Sequence, residues 1–401
     1  MLDLSDIKLN CYKLSSSYFI NVNLKLIMKN TSQNPGIIKN SGSLLNDVIS
    51  SFTSASIKKN RSLQLLAFGY LFSSLLFTSC SEELLETDPS NVPEAQVQKL
   101  TLIPDPSEPI IINDVVTAEL KTTEAAGDDL GRYNISLKFL LPPTERQLEV
   151  FEAAAARWER IIIQDVPSFT GTIPSAFFGF PPAVDGTLDD IVIEVALAPI
   201  DGPGNILGQA GPRFVRTDDF LTLSGVMFFD IADLAFLEQI DLFEEVIVHE
   251  MGHVLGVGTL WNTAPFGFDR TLREGPITNP YFTGRKANVH WNAEGGSDEL
   301  PVENIGGPGT ALSHWRESSL KNELMTGFLN LGENPLSRIT AGSMRDLGYG
   351  TATVGEQYDL EKGAPGVDLS SLEAGGAAEG LHIAAMEELL KPIGFVTSSK
   401  K

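Results

Sequence analysis

The sequence predicts an α+β fold, and three observations carry that expectation. A cleanly alternating strand, YNISLKFL, is followed directly by a capped amphipathic helix, PPTERQLEVFEAAAARWERII. Two more apolar strand-length runs precede a second helix. Beyond that helix comes a long stretch rich in Gly, Pro and Asn, with little periodicity. Strand, helix, strand, strand, helix and then loops is the order of an α+β domain rather than of a repeating βα array. No internal repeat is visible.

The chain has 401 residues and is 42% hydrophobic, enough for one large domain or two modest ones. Its formal charge of −23 argues against a nucleic-acid partner, because phosphate backbones require basic patches. The charge is unevenly placed. Residues 1–80 carry 8 Lys+Arg and 3 Asp+Glu, while the remainder carries 21 and 49. The two cysteines, Cys11 and Cys80, both fall in this basic leader. The body therefore has no disulfide framework, thiolate metal site or cysteine-based latency switch.

Lys58, Lys59 and Arg61 precede an apolar run from Leu63 to Phe77, and Thr78 and Ser79 then precede Cys80. This order resembles a bacterial lipoprotein signal, which implies export and a lipid anchor on Cys80 at the cell envelope or surface. A plain signal peptide, with secretion, and an uncleaved anchor are the other readings of the same residues. Phe77 is bulkier than the residue usual at that position, and Met28 offers a second start. Residues 81–131 are acidic and Pro-containing. They read as a linker or short propeptide, in which PIIINDVV could form a strand.

The body spans 132–350. In YNISLKFL, Tyr133, Ile135, Leu137 and Phe139 share one face and Asn134, Ser136 and Lys138 the other, the pattern of a half-buried strand. Thr144 with Gln147 is a capping box, and Leu148, Phe151, Ala155, Trp158 and Ile162 recur at helical spacing. DIVIEVAL (190–197) and SGVMFF (224–229) read as strands. A helix is expected from about Leu242 to Leu255, stopped by Gly256. The tail, 351–401, opens Gly/Ala-rich. Leu381 to Leu390 has the spacing of a short amphipathic helix, and no chemistry is assigned to it.

The second helix carries the chemistry. In VIVHEMGHVLG, His249 and His253 are four residues apart and so lie on one face, able to present two imidazoles to one ion. Zn²⁺ accepts imidazole nitrogen and tolerates three protein ligands plus a water. Glu250 stands beside the first ligand, where it can act on that water but not easily ligate the same ion. That suits a general base. The alternative is a core helix with two satisfied histidines, which would bury two imidazoles and a carboxylate at a cost of several kcal/mol. A third ligand must come from elsewhere: position 259, ten residues after the first His, is Thr, leaving His290, His314 and His382.

HEMGHVLGVGTLW, a long insertion and then HWRESSLKNELMTG resemble the leishmanolysin-like zinc metalloendopeptidases of the metzincin clan. The resemblance covers about residues 133–350, including FEAAAARWERII and SRITAGSMRDLGY. It implies a mixed twisted sheet and an active-site helix above a loop-rich C-terminal subdomain that ends in a helix. It also implies one catalytic zinc held by His249, His253 and His314, with Met325 as the structural methionine turn beneath. Glu250 would serve as base for a zinc-activated water that hydrolyses a peptide bond. His290 competes with His314. Protein or peptide substrates would lie along an exposed sheet edge, sought in GQAGPRFVR or LSGVMFF. Members of the family are rich in disulfides, and this body has none. Calcium is a further ion that DGTLDD or RTDDF could serve, although a solvated acidic surface accounts for both stretches. Two other functions compete: a non-catalytic surface adhesin or binding module that retains a structural zinc, and a metal-dependent hydrolase of another bond.

Overall fold

In the computed structural model, which describes residues 98–114, 131–307, 310–358 and 380–398, the local signals of the first helix set the frame. Thr144 caps helix α1 (Glu145–Ile161), with its side chain accepting from the Gln147 backbone while the Gln147 side chain returns to the Thr144 N–H. Phe151, Ala155, Trp158 and Ile162 are buried as their spacing requires, but Leu148 is exposed and Val150, Ala154 and Ile161 complete the buried face. The described residues belong to one compact unit, Val92–Lys401. The leader, Cys80 included, lies outside them. Among the described residues no helix is long and apolar enough to cross a membrane.

Strands β1 (Ile110–Asp114), β2 (Ile135–Phe139), β5 (Ile191–Ala198), β6 (Gly208–Arg216), β7 (Thr222–Asp230), β13 (Glu387–Leu389) and β14 (Gly394–Ser398) form a seven-stranded mixed sheet. Its order is β1-β14-β6-β7-β5-β2, with β13 also on β6. β6 and β7 are antiparallel, whereas β2, β5 and β7 run parallel. All of β5 is buried because both sheet faces are covered. Ile191, Ile193, Val195 and Leu197 pack with α1 and with helix α3 (Phe243–Leu255). Val192 meets Phe169 and Ile173 of the hairpin β3 (Phe169–Ile173) and β4 (Val184–Leu188). Ala196 and Ala198 meet Leu100 and Phe177.

Helix α2 (Ile231–Gln239) follows β7 and leads into α3, which lies close against the sheet. A Cβ on Gly225 of β7 would stand only 2.2 Å from Val254 Cγ1 of α3. Trp158 of α1 donates its indole N–H to the Val248 carbonyl at 2.9 Å, and Arg157 pairs with Glu245 at 3.0 Å and Glu356 at 2.9 Å. α3 is thus clamped from two sides. The rest is loop-rich. It contains β8 (Arg273–Glu274), β9 (Tyr281–Phe282), α4 (Arg285–Ala293), β10 (Leu300–Pro301), the short α5 (Glu317–Leu320), β11 (Leu329–Asn330) and α6 (Arg338–Leu347), with β12 (Gly380–Leu381) returning to pair β11.

Two expectations are corrected. Residues 381–390 are not a helix: a 3₁₀ turn at Ile383–Ala385 leads into β13, and β14 follows. Their apolar spacing serves strands because β6 and β11 offer unpaired backbone, and ladder bonds outweigh a weak helical preference. SGVMFF is not a sheet edge either, because β7 lies between β5 and β6. Nor is GQAGPRFVR, which is β6, an edge: β7 pairs one side of it and β13 and β14 the other.

Candidate metal centre

α3 ends where Gly256 takes a left-handed φ of 117°, returning its N–H to Gly252 and His253. That turn folds the Val257 carbonyl back onto His253 Nδ1, at 2.9 Å. Gly258 then takes φ +73°, and its missing Cβ makes room for Ser313, the residue before His314. The glycines of HVLGVG therefore bring the downstream histidine to the helix.

The three imidazoles meet at one point. His249 Nε2 is 3.0 Å from His253 Nε2 and 3.2 Å from His314 Nε2, and His253 Nε2 is 3.1 Å from His314 Nε2. Each opposite nitrogen is held by a carbonyl: His249 Nδ1 by Leu324 at 2.7 Å, His253 Nδ1 by Val257 at 2.9 Å, His314 Nδ1 by Thr310 at 3.1 Å. Nδ1–H donating to a carbonyl leaves Nε2 with its lone pair, so three acceptors face one another. Two nitrogens at 2.0–2.1 Å from a tetrahedral ion stand about 3.3 Å apart, close to the spacing seen. The residues fit a zinc ion.

Met325 lies directly under this face, because Gly252 has no side chain: a Cβ there would meet Met325 Sδ and Trp158 Cζ2, each at 2.8 Å. The turn is fixed by Glu323, fully buried, which accepts from the Met325 N–H at 2.7 Å and the Ser337 hydroxyl at 2.7 Å, and also from the Thr340 hydroxyl. Burial raises the Glu323 carboxyl, and these three bonds, with a fourth from the Ser337 N–H at 3.2 Å, work against the rise. Glu303 braces the other side by accepting from the Glu317 N–H at 3.0 Å, and its own N–H donates to the His314 carbonyl at 2.9 Å.

Glu250 is fully buried. Its carboxyl is held well above the usual carboxylate range, first by burial, then by the charge of Glu387 and a hydrogen bond with it. Glu387, in β13, stands among the imidazoles: Oε1 lies 3.0 Å from His314 Nε2, and Oε2 lies 3.4 Å from His249 Nε2 and 3.6 Å from His253 Nε2. Burial would raise it, but His314 and His253 hold it well below the ordinary value. His253 is lowered to about 3, chiefly by burial. His314 is raised, because Glu387 overcomes the effect of burial.

Of the sequence candidates, His249, Glu250, His253, His314 and Met325 come together. His290 does not: it sits on α4 with its ring against Gly342 of α6. His382 stacks on Phe328 at 4.0 Å. In DGTLDD, Asp189 and Asp190 gather with Asp165, but both Asp190 oxygens are engaged by backbone, from Asn134 N–H at 2.7 Å and Val166 N–H at 2.9 Å. Sequence reasoning missed Glu323, although ELMTG displays it, and Glu387, for which no local signal exists.

Residues 164–357 match the family model Peptidase_M8, described as leishmanolysin. A leishmanolysin homolog from Crithidia fasciculata is 30% identical over 170 residues, which is 40% of this chain. The chain spans only 24% of the length of that curated relative. At the level of the family the match supports a metallopeptidase, and it takes in His249, Glu250, His253, His314 and Met325, with Glu387 beyond its end.

Proposed function

We propose that this chain is a zinc-dependent endopeptidase in which His249, His253 and His314 hold the ion and Glu250 is the general base. One observation carries the reading: three imidazoles from two distant stretches of chain turn their Nε2 nitrogens toward one point, beside a carboxylate from the helix that carries two of them. Zinc, when bound, would supply a Lewis acid that polarises the scissile carbonyl and activates water near neutral pH. The chain's own part is threefold. The Nδ1 bonds fix each ring so that its donor nitrogen needs no reorientation. Glu250 takes a proton at a carboxylate oxygen and returns it to the leaving amine nitrogen, so no Ser or Cys nucleophile is required. The buried surroundings strengthen each of these interactions. An extended peptide would add to β6 at Gly208–Ala210 through main-chain hydrogen bonds, in the place that β13 takes in the folded chain.

A second reading, a non-catalytic surface adhesin or binding module with a structural zinc, draws support from Glu387, because four protein donors describe a closed site. Digestion of casein and a peptide library, with and without a zinc chelator, tests both. Glu250→Ala is expected to retain zinc and to lose hydrolysis by about a hundredfold or more. Zinc bound without chelator-sensitive cleavage, in the chain and in a Glu387 variant alike, would favour the binding module. We also propose, from the leader alone, export with a lipid anchor on Cys80. Labelling with a radioactive fatty acid should mark the chain and not Cys80→Ser.

A further inference from the structure

We propose that Glu387 is a fourth protein ligand of the metal, carried by the C-terminal strand into the corner that an active site leaves open, so that the chain as folded is closed to substrate. This rests on the metallopeptidase reading and deepens it.

The geometry is that of a ligand. Oε1 stands 3.0 Å and Oε2 3.4 and 3.6 Å from the three converging nitrogens, and the side chain is fully buried. Carboxylate oxygen and imidazole nitrogen bound to one tetrahedral zinc would stand about 3.3–3.5 Å apart. A carboxylate buried without a cation is strongly disfavoured, so its presence among imidazoles calls for a positive partner.

The delivery is built, not incidental. β13 runs parallel to β6 with Glu387 opposite Gly208, Glu388 opposite Gln209 and Leu389 opposite Ala210. Alternation turns Glu387 inward and leaves Glu388 exposed, bonded to Gln209. The Leu207 N–H donates to the Met386 carbonyl and the Leu390 N–H to the Ala210 carbonyl, each at 2.7 Å. The Thr310 hydroxyl donates to the Ala384 carbonyl at 3.0 Å. Two glycines clear the path: a Cβ on Gly211 would stand 2.3 Å from the Leu390 carbonyl oxygen, and one on Gly327 would stand 3.1 Å from Ala384 Cβ. Gly208–Ala210 is the ledge that a bound peptide would need, so the tail blocks the metal corner and the substrate strand together. Among the described residues β13 is paired only to β6, whereas β14 lies between β1 and β6. Departure of the short strand would therefore not require unzipping β14.

The test uses the full chain loaded with Co²⁺ and titrated with azide, read by visible absorption, alongside zinc extraction by phenanthroline and peptide cleavage. The wild-type spectrum is expected to ignore azide. In Glu387→Ala the spectrum should respond, and extraction and cleavage should each rise about tenfold or more. Glu387→Gln keeps the side-chain shape should the alanine variant fold poorly, and Glu388→Ala, on the exposed face of the strand, should behave as wild type. Azide binding equally well to wild type and both Glu387 variants would overturn the proposal. A Glu387 variant that opens to azide but cleaves nothing would uphold the ligand assignment and sink the peptidase reading instead.

Discussion

The Ser313 carbonyl oxygen lies 2.1 Å from where a Cβ on Gly258 would stand, so the turn after the metal-site helix and the segment carrying His314 touch backbone to backbone. Gly258→Ala would force a left-handed φ of +73° on a residue with a side chain and drive that side chain into Ser313. Thermal unfolding should show a loss of about 2–4 kcal/mol. Zinc affinity should fall as well, measured by competition with a fluorescent chelator, because His314 is displaced. Unchanged affinity would mean that this contact does not place His314.

His314→Ala and His290→Ala separate the two histidines that the sequence left in competition. The first removes one of three converging nitrogens, and the second removes a ring packed between α4 and α6. Titration calorimetry should show zinc affinity falling by orders of magnitude in the first and hardly changing in the second.

Glu323→Ala would leave the Met325 N–H and the Ser337 and Thr340 hydroxyls buried without their acceptor. At about 1–3 kcal/mol for each unsatisfied group, with partial relaxation, the chain should lose about 3–5 kcal/mol in urea unfolding. Zinc should also bind more weakly, because the neighbouring Leu324 carbonyl orients His249. Full zinc affinity in a folded variant would limit Glu323 to a purely stabilising part.

The pH dependence of stability has one identifiable contributor away from the metal. Burial raises the Glu245 carboxyl to about 7, with Arg157 pulling it down. A raised acid favours the fold while protonated. Its contribution is therefore full below about 4.5, the value of the unfolded chain, and is lost as pH rises through about 7. Glu245→Gln should remove that slope, with Arg157 kept in place by Glu356. Melting both chains at pH 5.5 and 8.5, the stability difference between wild type and variant should favour wild type more at the lower pH. The opposite order would contradict the assignment, and metal binding, common to both chains, cancels from the comparison.

The legible parts of the molecule are those whose signals are local. The capping box at Thr144, the i, i+4 histidines and the Gly256 stop each depend on residues within one or two helical turns, and each stands where the sequence puts it. The triad needed one distant residue, which the HWRESSLKNELMTG stretch supplied by resemblance. β13 and β14 were illegible for a physical reason. Their stability comes from the ladder that β6 provides far upstream, while LHIAAMEELL alone has helical spacing. Glu387 was hidden with them, since a carboxylate becomes a metal-site group only once strand pairing aims it.

The place of β14 between β1 and β6 bears on how the protein can be produced in the laboratory. A recombinant fragment trimmed to residues 164–357, the boundaries that family similarity suggests, would discard β13 and β14 and leave the long β6 paired on the β7 side alone. Bare amides and carbonyls along so apolar a ribbon invite stacking of one copy on another, and inclusion bodies would be the expected harvest.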